Sequence, residues 1–164
     1  MSSGPTNGSA TGTSSTVGSA TGTTSIGSLT SMGTMTAAGW KGSIRVLLVD
    51  PDERFGRLLK GFLDGRGWQV EWVGDGRKAL SRWKEIGPDL VVAELQGEDL
   101  DGFEFIETVS RMKKPPPIVV CTRLGGAHTW TPDALETLGV KGVVVRPIRF
   151  DQLASELERV ILGG

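Results

Sequence analysis

The chain has 164 residues, a formal net charge of -1 at pH 7 and a single cysteine, Cys121. A nearly neutral charge removes the electrostatic case for binding nucleic acid or an anionic membrane surface. One cysteine excludes an internal disulfide, and its place in the apolar run Ile118–Cys121 is typical of a small buried residue. No apolar segment approaches the ~20 residues of a membrane span and no signal peptide is recognisable, so we expect a cytoplasmic protein.

Residues 1–42 differ in composition from the rest of the chain. Ser, Thr and Gly dominate, the first charged residue is Lys41, and the scattered apolar residues follow no sustained period. Such a segment cannot bury enough apolar surface to offset the entropy lost on folding. We therefore predict a disordered tail over residues 1–42 and one domain over residues 43–164. The alternative, that Thr30–Trp40 becomes ordered on a partner, stays open.

The remainder alternates between short apolar runs and segments with helical periodicity. The predicted strands are Ile44–Val49, Trp68–Val73, Leu90–Ala93, Ile118–Cys121 and Gly142–Val145. The predicted helices are Asp52–Asp64, Arg77–Glu85, a segment from Gly102 to about Met112, Pro132–Leu138 and Phe150–Ile161. Five strand–helix pairs indicate an α/β fold, a doubly wound parallel sheet with helices on both faces.

Polar residues stand at the ends of four predicted strands: Asp50, Glu94, Thr122 and Arg146. The carboxyl ends of parallel strands meet at one edge of the sheet, where ligands of doubly wound folds bind. We therefore expect these four side chains to surround one crevice.

Several sequence pieces, in this order and spacing, resemble a response-regulator receiver domain over residues 44–162. They are LLVD at Leu47–Asp50, PDLVVAEL at Pro88–Leu95, Asp101-Gly102, IVVCT at Ile118–Thr122 and VVVRP at Val143–Pro147. The resemblance implies a flavodoxin-like five-stranded sheet in the order 2-1-3-4-5. It also implies an aspartate that accepts a phosphoryl group from a histidine kinase, with Mg²⁺ held beside it.

The resemblance assigns each functional position of the family to a residue of this chain. Glu94 matches the phosphoacceptor, Asp50 and Pro51 match the acidic pair that holds Mg²⁺, and Gln96 matches the carbonyl ligand. Thr122 matches the Ser/Thr after strand four, Arg146 the lysine before the proline, and Val143 the aromatic residue that reports the switch.

The departures from the family pattern concentrate at this site. Glu94 places its carboxylate on the order of 1.5 Å farther out than aspartate would, and phosphoryl transfer is sensitive to such a displacement. Pro51 supplies no carboxylate, while Asp52 sits one residue late, so Mg²⁺ loses an oxygen ligand. Arg146 keeps a cation whose planar fork can hold Glu94 bidentately.

Three interpretations of the site stay open. Asp50, Glu94 and Arg146 form a purely structural ion-pair cluster, or Glu94 locks an active-like state, or a residual phosphoacceptor or metal site persists. Asp50, Asp52 and Glu94 are the weak metal candidates of the last interpretation, and otherwise no cofactor is expected.

The interpretation that we favour is an atypical receiver that acts as a phosphorylation-independent protein-interaction module. It is not expected to be an enzyme. A protein partner is expected on the face made by the fourth predicted helix, the fifth strand and the fifth helix, near Trp130 and Val143, and a homodimer is one possibility. Trp130 is either exposed there or folded over the site as a lid. The alternatives are a divergent phosphorelay receiver and a scaffold protein tethered by its tail.

Overall fold

The computed structural model describes residues 42–96, 101–123 and 130–163, apart from the side chain of Asp101. The predicted tail lies outside the described residues, except for Gly42. The strands are β1 (Arg45–Val49), β2 (Gln69–Val73), β3 (Leu90–Ala93), β4 (Ile118–Arg123) and β5 (Val140–Arg146). The helices are α1 (Glu53–Asp64), α2 (Gly76–Ser81), α3 (Trp83–Ile86), α4 (Asp101–Ser110), α5 (Pro132–Thr137) and α6 (Phe150–Ile161).

The five strands form one parallel sheet in the order β2-β1-β3-β4-β5, which confirms the predicted fold class and strand order. β1 is central, with Val46 paired to Val70 of β2 on one side and to Leu90 of β3 on the other. The carboxyl ends of β1 and β3 are therefore neighbours, and the residues that follow them come together by register alone.

Successive residues of the central strands point to opposite faces of the sheet, and a hydrophobic cluster fills each face. Val46 and Leu48 of β1 belong to the cluster under α1 and α6, whereas Leu47 and Val49 belong to the cluster under α2, α4 and α5. Burial on both faces explains why Val46–Val49 of β1 and Leu90–Ala93 of β3 are uninterrupted apolar runs. Cys121 is buried in the first cluster, as predicted, and burial raises the pKa of its thiol to about 12.

The prediction of one helix over Arg77–Glu85 is wrong, because the segment divides into α2 and α3 at Arg82. The hydroxyl of Ser81 donates to the carbonyl oxygen of Lys78 at 2.8 Å, a local bond of the kind that competes with helical hydrogen bonding. The guanidinium of Arg82 pairs with Glu71 of β2 and with Glu85. Through the Arg82–Glu71 pair, the residue at the interruption contacts β2 at the edge of the sheet.

Strand β2 is one edge of the sheet, and side chains of α1 cover part of its backbone. The Val70 amide donates to Asp64 Oδ1 at 3.1 Å, and the Val70 carbonyl oxygen accepts from Lys60 Nζ at 2.6 Å. Lys60 also pairs with Asp64 at 2.7 Å. Unpaired edge groups invite pairing with other chains, so this ion pair protects the edge. No helix in the described part of the chain is long and apolar enough to span a membrane.

Candidate functional site

The structure places all four predicted strand-end residues at the carboxyl edge of the sheet, and all four are buried. Their exposed fractions are 1% for Asp50, 5% for Glu94, 2% for Thr122 and 8% for Arg146. Thr122 lies inside β4, one residue before its end, because the strand runs two residues farther than the predicted Cys121. Polar groups buried to this extent need partners, since an unpaired one costs about 1–3 kcal/mol.

Asp50 is fixed by the turn that joins β1 to α1. Its Oδ1 accepts from the Asp52 amide at 2.7 Å, and its own amide donates to the Val73 carbonyl oxygen at 3.1 Å. The indole Nε1 of Trp72 donates to the Asp50 carbonyl oxygen at 3.0 Å. Trp72 reaches this position across α1, where Gly56 leaves room for the ring and a Cβ would collide with it. The backbone of Asp50 is thus held from β2 at both its amide and its carbonyl oxygen.

Glu94 follows β3 and is held in the same manner. Its Oε1 accepts from the Gln96 amide at 2.9 Å, and its amide donates to the Val49 carbonyl oxygen at 2.9 Å. The side chain of Gln96 in turn donates to the Arg123 carbonyl oxygen at 2.9 Å. One oxygen of each carboxylate, in Asp50 and in Glu94, is therefore occupied by a backbone amide two residues later.

Arg146 joins the remaining oxygens of the two carboxylates. Its Nη2 lies 3.0 Å from Asp50 Oδ2 and in closer contact with Glu94 Oε2. The expected bidentate pair with Glu94 is therefore wrong, since a single nitrogen is shared by both acids. The Arg146 Cζ lies 4.0 Å from the centroid of the Phe55 ring, which packs on the guanidinium from α1. We call Asp50, Glu94 and Arg146 the shared-arginine cluster.

The shared-arginine cluster has two carboxylates for one cation. Burial raises the pKa of Asp50 to about 6, and it outweighs the lowering effects of the Asp52 amide and of the Arg146 guanidinium. Among the described residues, Thr122 Oγ1 and Arg146 Nε are buried at this edge without a hydrogen-bond partner, and Asp50 Oδ2 has its ion pair with Arg146 but no hydrogen bond. Such groups are rare in native structures, and they mark this edge as the least satisfied polar region of the described domain.

Asp52 does not join the cluster. Its Oδ1 accepts from the Phe55 amide at 3.1 Å as the N-cap of α1, and its Oδ2 pairs with Arg123. The amide bond from Phe55 is the main reason that the pKa of Asp52 lies below its ordinary value. A solvent-open cavity of about 510 Å³ lies beside the cluster, with Asp52, Arg123 and Arg146 among its lining residues.

The residues at this edge do not fit a magnesium ion. Mg²⁺ requires near-octahedral oxygen ligands, usually one or two carboxylates with waters. The free oxygens of Asp50 and Glu94 face Arg146, those of Asp52 are engaged by α1 and Arg123, and position 51 is proline. The described residues include no group of three or more side chains of His, Cys, Asp or Glu placed to hold a metal.

The two residues predicted for a partner face have different environments. Val143 of β5 is 44% exposed, as is its neighbour on the same side of the strand, Val145, at 42%. Trp130, which the sequence left as either exposed or a lid, is partly buried and packs against the cluster under α2, α4 and α5. In the described part of this face, the two valines are large apolar residues that remain exposed.

Sequence reasoning missed Phe55, Trp72 and Arg123 as parts of the site. Helical spacing predicted Phe55 only as a core residue, yet its ring packs on the guanidinium of Arg146. The sequence held one weak indication of the Trp72 contact: Gly56 lies inside a predicted helix, and a glycine there can mark the close approach of another group. Nothing in the sequence pairs Arg123 with Asp52.

A doubly wound sheet with buried carboxylates after its first and third strands, and a basic residue before a proline after its fifth, defines a receiver-like class of α/β domain. The Arg146–Pro147 bond is cis. The family model of the response regulator receiver domain matches residues 46–158, more than half of the chain, so this chain belongs to that family. It carries a receiver domain of two-component response regulators.

Relatives and solved structures agree with this assignment. The transcriptional regulatory protein TrcR of Mycobacterium tuberculosis is 29% identical over 120 residues, 72% of this chain and 45% of TrcR. The chemotaxis protein CheY of Thermotoga maritima is 26% identical over 117 residues, 71% of this chain and 96% of CheY. The non-phosphorylated receiver domain of HemR from Leptospira biflexa matches with a TM-score of 0.64 and 30% identity, over 73% of this chain and 94% of that structure. The chain spans less than half the length of TrcR.

Proposed function

We propose that this receiver domain acts as a phosphorylation-independent protein-interaction module in bacterial signalling or regulatory assembly. The observation that carries the proposal is the shared-arginine cluster, which engages both carboxylates that phosphotransfer would use. The relatives named above are a transcriptional regulatory protein and a chemotaxis protein, so signalling is the setting that the family favours.

Phosphoryl transfer needs an acceptor oxygen aligned with the donor and cations that neutralise the developing charge. In this domain both oxygens of Glu94 are held, one by the Gln96 amide and one by Arg146. The same guanidinium also engages Asp50, so it is not free to bind the phosphoryl oxygens. The extra methylene of Glu94 displaces the acceptor further, and each effect lowers the rate of transfer.

The partner is a protein that covers the β5 face. Val143 and Val145 expose apolar side chains side by side on the edge strand, and partly exposed apolar residues at an edge are suited to an interface. No phosphate-dependent reorientation of an aromatic residue is available at position 143, so the face has the same form with or without a phosphodonor.

The phosphotransfer part is tested by incubating the full chain with acetyl phosphate and Mg²⁺ and measuring its intact mass. We expect no adduct on the wild-type chain. The matched control is the triple variant Pro51→Asp, Glu94→Asp, Arg146→Lys, which restores the family residues on the same scaffold and is expected to gain one phosphoryl group. A stoichiometric, base-labile adduct on Glu94 of the wild type would contradict the proposal.

The interaction part is tested with a charged substitution on the proposed face. We expect Val143→Glu to abolish co-purification of the partner from native cells, because a carboxylate would be buried in the interface. Leu58→Glu is the control, since Leu58 is 55% exposed on α1. Equal loss in both variants, or binding that appears only after addition of a phosphodonor, would contradict the proposal.

A further inference from the structure

The shared-arginine cluster places two buried carboxylates beside a single cation. Asp50 and Glu94 are at least 95% buried, so each carboxylate needs a compensating charge or must take up a proton. Neither is paired with a lysine or a second arginine in the described part of the chain. Among the described residues, Arg146 is the one cation that pairs with them.

The geometry of Arg146 differs from that of an ordinary ion pair. One nitrogen, Nη2, contacts Asp50 Oδ2 and Glu94 Oε2 together. The outer oxygens of the two acids therefore converge on one point, as the oxygen ligands of a single bound cation would. Their inner oxygens accept backbone amides, which prevents either side chain from turning away.

Two features keep the guanidinium at that point. The Phe55 ring packs on it at 4.0 Å, and a flat delocalised cation stacks on an aromatic ring in a way that a hydrated ammonium does not. The strand fixes the backbone from which the side chain extends, because Arg146 is the last residue of β5 and pairs in register with Arg123 of β4. The cation is thus part of the folded chain.

We propose that Arg146 is a built-in replacement for a divalent cation, so that the crevice is occupied permanently and its two carboxylates form a latent metal site. This rests on the proposed function only in that the crevice does not take up phosphate. Wild-type protein is then indifferent to divalent cations. Removing the guanidinium leaves Asp50 Oδ2, Glu94 Oε2 and the unpartnered Thr122 hydroxyl at the same edge, and hard oxygens of this kind bind Mg²⁺ or Mn²⁺.

The test measures thermal unfolding and tryptophan fluorescence of the full chain while Mg²⁺ or Mn²⁺ is added. Trp72 is the internal reporter, since its indole donates to the Asp50 carbonyl oxygen. We expect no shift for wild type at millimolar metal. For Arg146→Met we expect a melting temperature that rises by about 5–10 °C when metal reaches a hundred times its dissociation constant, with quenching of fluorescence by Mn²⁺.

Two control variants define the result. Arg123→Met removes a neighbouring arginine that pairs with Asp52 outside the cluster, so it is expected to stay indifferent to metal. Arg146→Met combined with Asp50→Asn removes one of the two converging oxygens and is expected to lose the metal response at least tenfold in affinity. If Arg146→Met is unfolded alone, folding on addition of Mn²⁺ supports the proposal, because metal binding then drives folding.

The proposal is overturned by an Arg146→Met variant that responds to neither cation, whether folded or not. It is also overturned by a wild-type chain that Mg²⁺ stabilises as strongly as it stabilises Arg146→Met. The first outcome leaves the proposed function untouched, because that function is tested by acetyl phosphate on the wild-type chain and by the Val143 variant.

Discussion

Replacing Asp50 by asparagine is expected to stabilise the folded domain at neutral pH, although Asp50 lies at the centre of the candidate site. Burial raises the pKa of Asp50 from 3.8 to about 6. A carboxyl whose pKa is higher in the folded than in the unfolded state favours folding only while it is protonated. The contribution of Asp50 to stability is therefore greatest below pH 3.8, falls as the pH rises towards 6, and stays reduced above that.

The size of the effect follows from the shift. A difference of about two pKa units corresponds to about 3 kcal/mol of free energy of unfolding, since each unit is worth about 1.4 kcal/mol. Asparagine imitates the neutral acid, and its oxygen can still accept from the Asp52 amide. Its amide nitrogen would then face Arg146 Nη2, a second donor, at the place where Oδ2 now lies 3.0 Å away. This contact reduces the expected gain to about 1–3 kcal/mol.

Urea unfolding at a series of pH values between 4 and 8 measures the effect. We expect the wild type to lose stability relative to Asp50→Asn as the pH rises through this range, with the difference complete by about pH 7. Asp75→Asn is a control of opposite sign. The Lys78 amide lowers the pKa of Asp75, which caps α2, so neutralising this acid is expected to lower stability slightly at neutral pH. A less stable Asp50→Asn at pH 7.5, or a difference that does not change with pH, would refute the reasoning.

Two further predictions use matched pairs of substitutions. Gly56→Ala is expected to lower stability by about 1–3 kcal/mol, because the new Cβ would collide with the Trp72 indole. Gly61→Ala in the same helix places its Cβ in open space and is expected to raise stability by about 0.5–1 kcal/mol. Equal effects of the two substitutions in urea unfolding would contradict the collision. Thr122→Val removes a buried hydroxyl without a partner and is expected to raise stability by about 1 kcal/mol. Thr131→Val removes the N-cap of α5, whose hydroxyl accepts from the Ala134 amide, and is expected to lower stability by about 1 kcal/mol. A fall in the melting temperature of Thr122→Val would show that its hydroxyl has a partner.

The fold was predictable because its central strands carry an unusually plain signal. A strand buried on both faces reads as a continuous apolar run, and Leu90–Ala93 has every residue fully buried. Strand ends were less predictable, because β4 and β5 extend through polar residues as far as Arg123 and Arg146. The break at Arg82 carries no glycine or proline, and the ion pair that accompanies it joins Arg82 to Glu71 of another element, β2.

The site was predictable in membership but not in geometry. The position of Asp50, Glu94 and Arg146 at one edge follows from strand order. Strand order does not predict that one arginine nitrogen contacts both acids. This contact depends on the length of the Glu94 side chain, on the two backbone amides and on the Phe55 ring. Periodicity places Phe55 in the core, and only the tertiary packing places it on the guanidinium.

The substitutions at this edge make sense as one set. A longer acid at position 94 reaches towards the cation, and an arginine at position 146 can contact two acids and stack on Phe55, whereas a lysine has no planar group to stack. Position 51 is exposed, and a second acid there would add negative charge beside two carboxylates that already share one cation. Burial keeps the pKa of Asp50 high even with Arg146 present, so proline at position 51 avoids a further negative charge next to this acid.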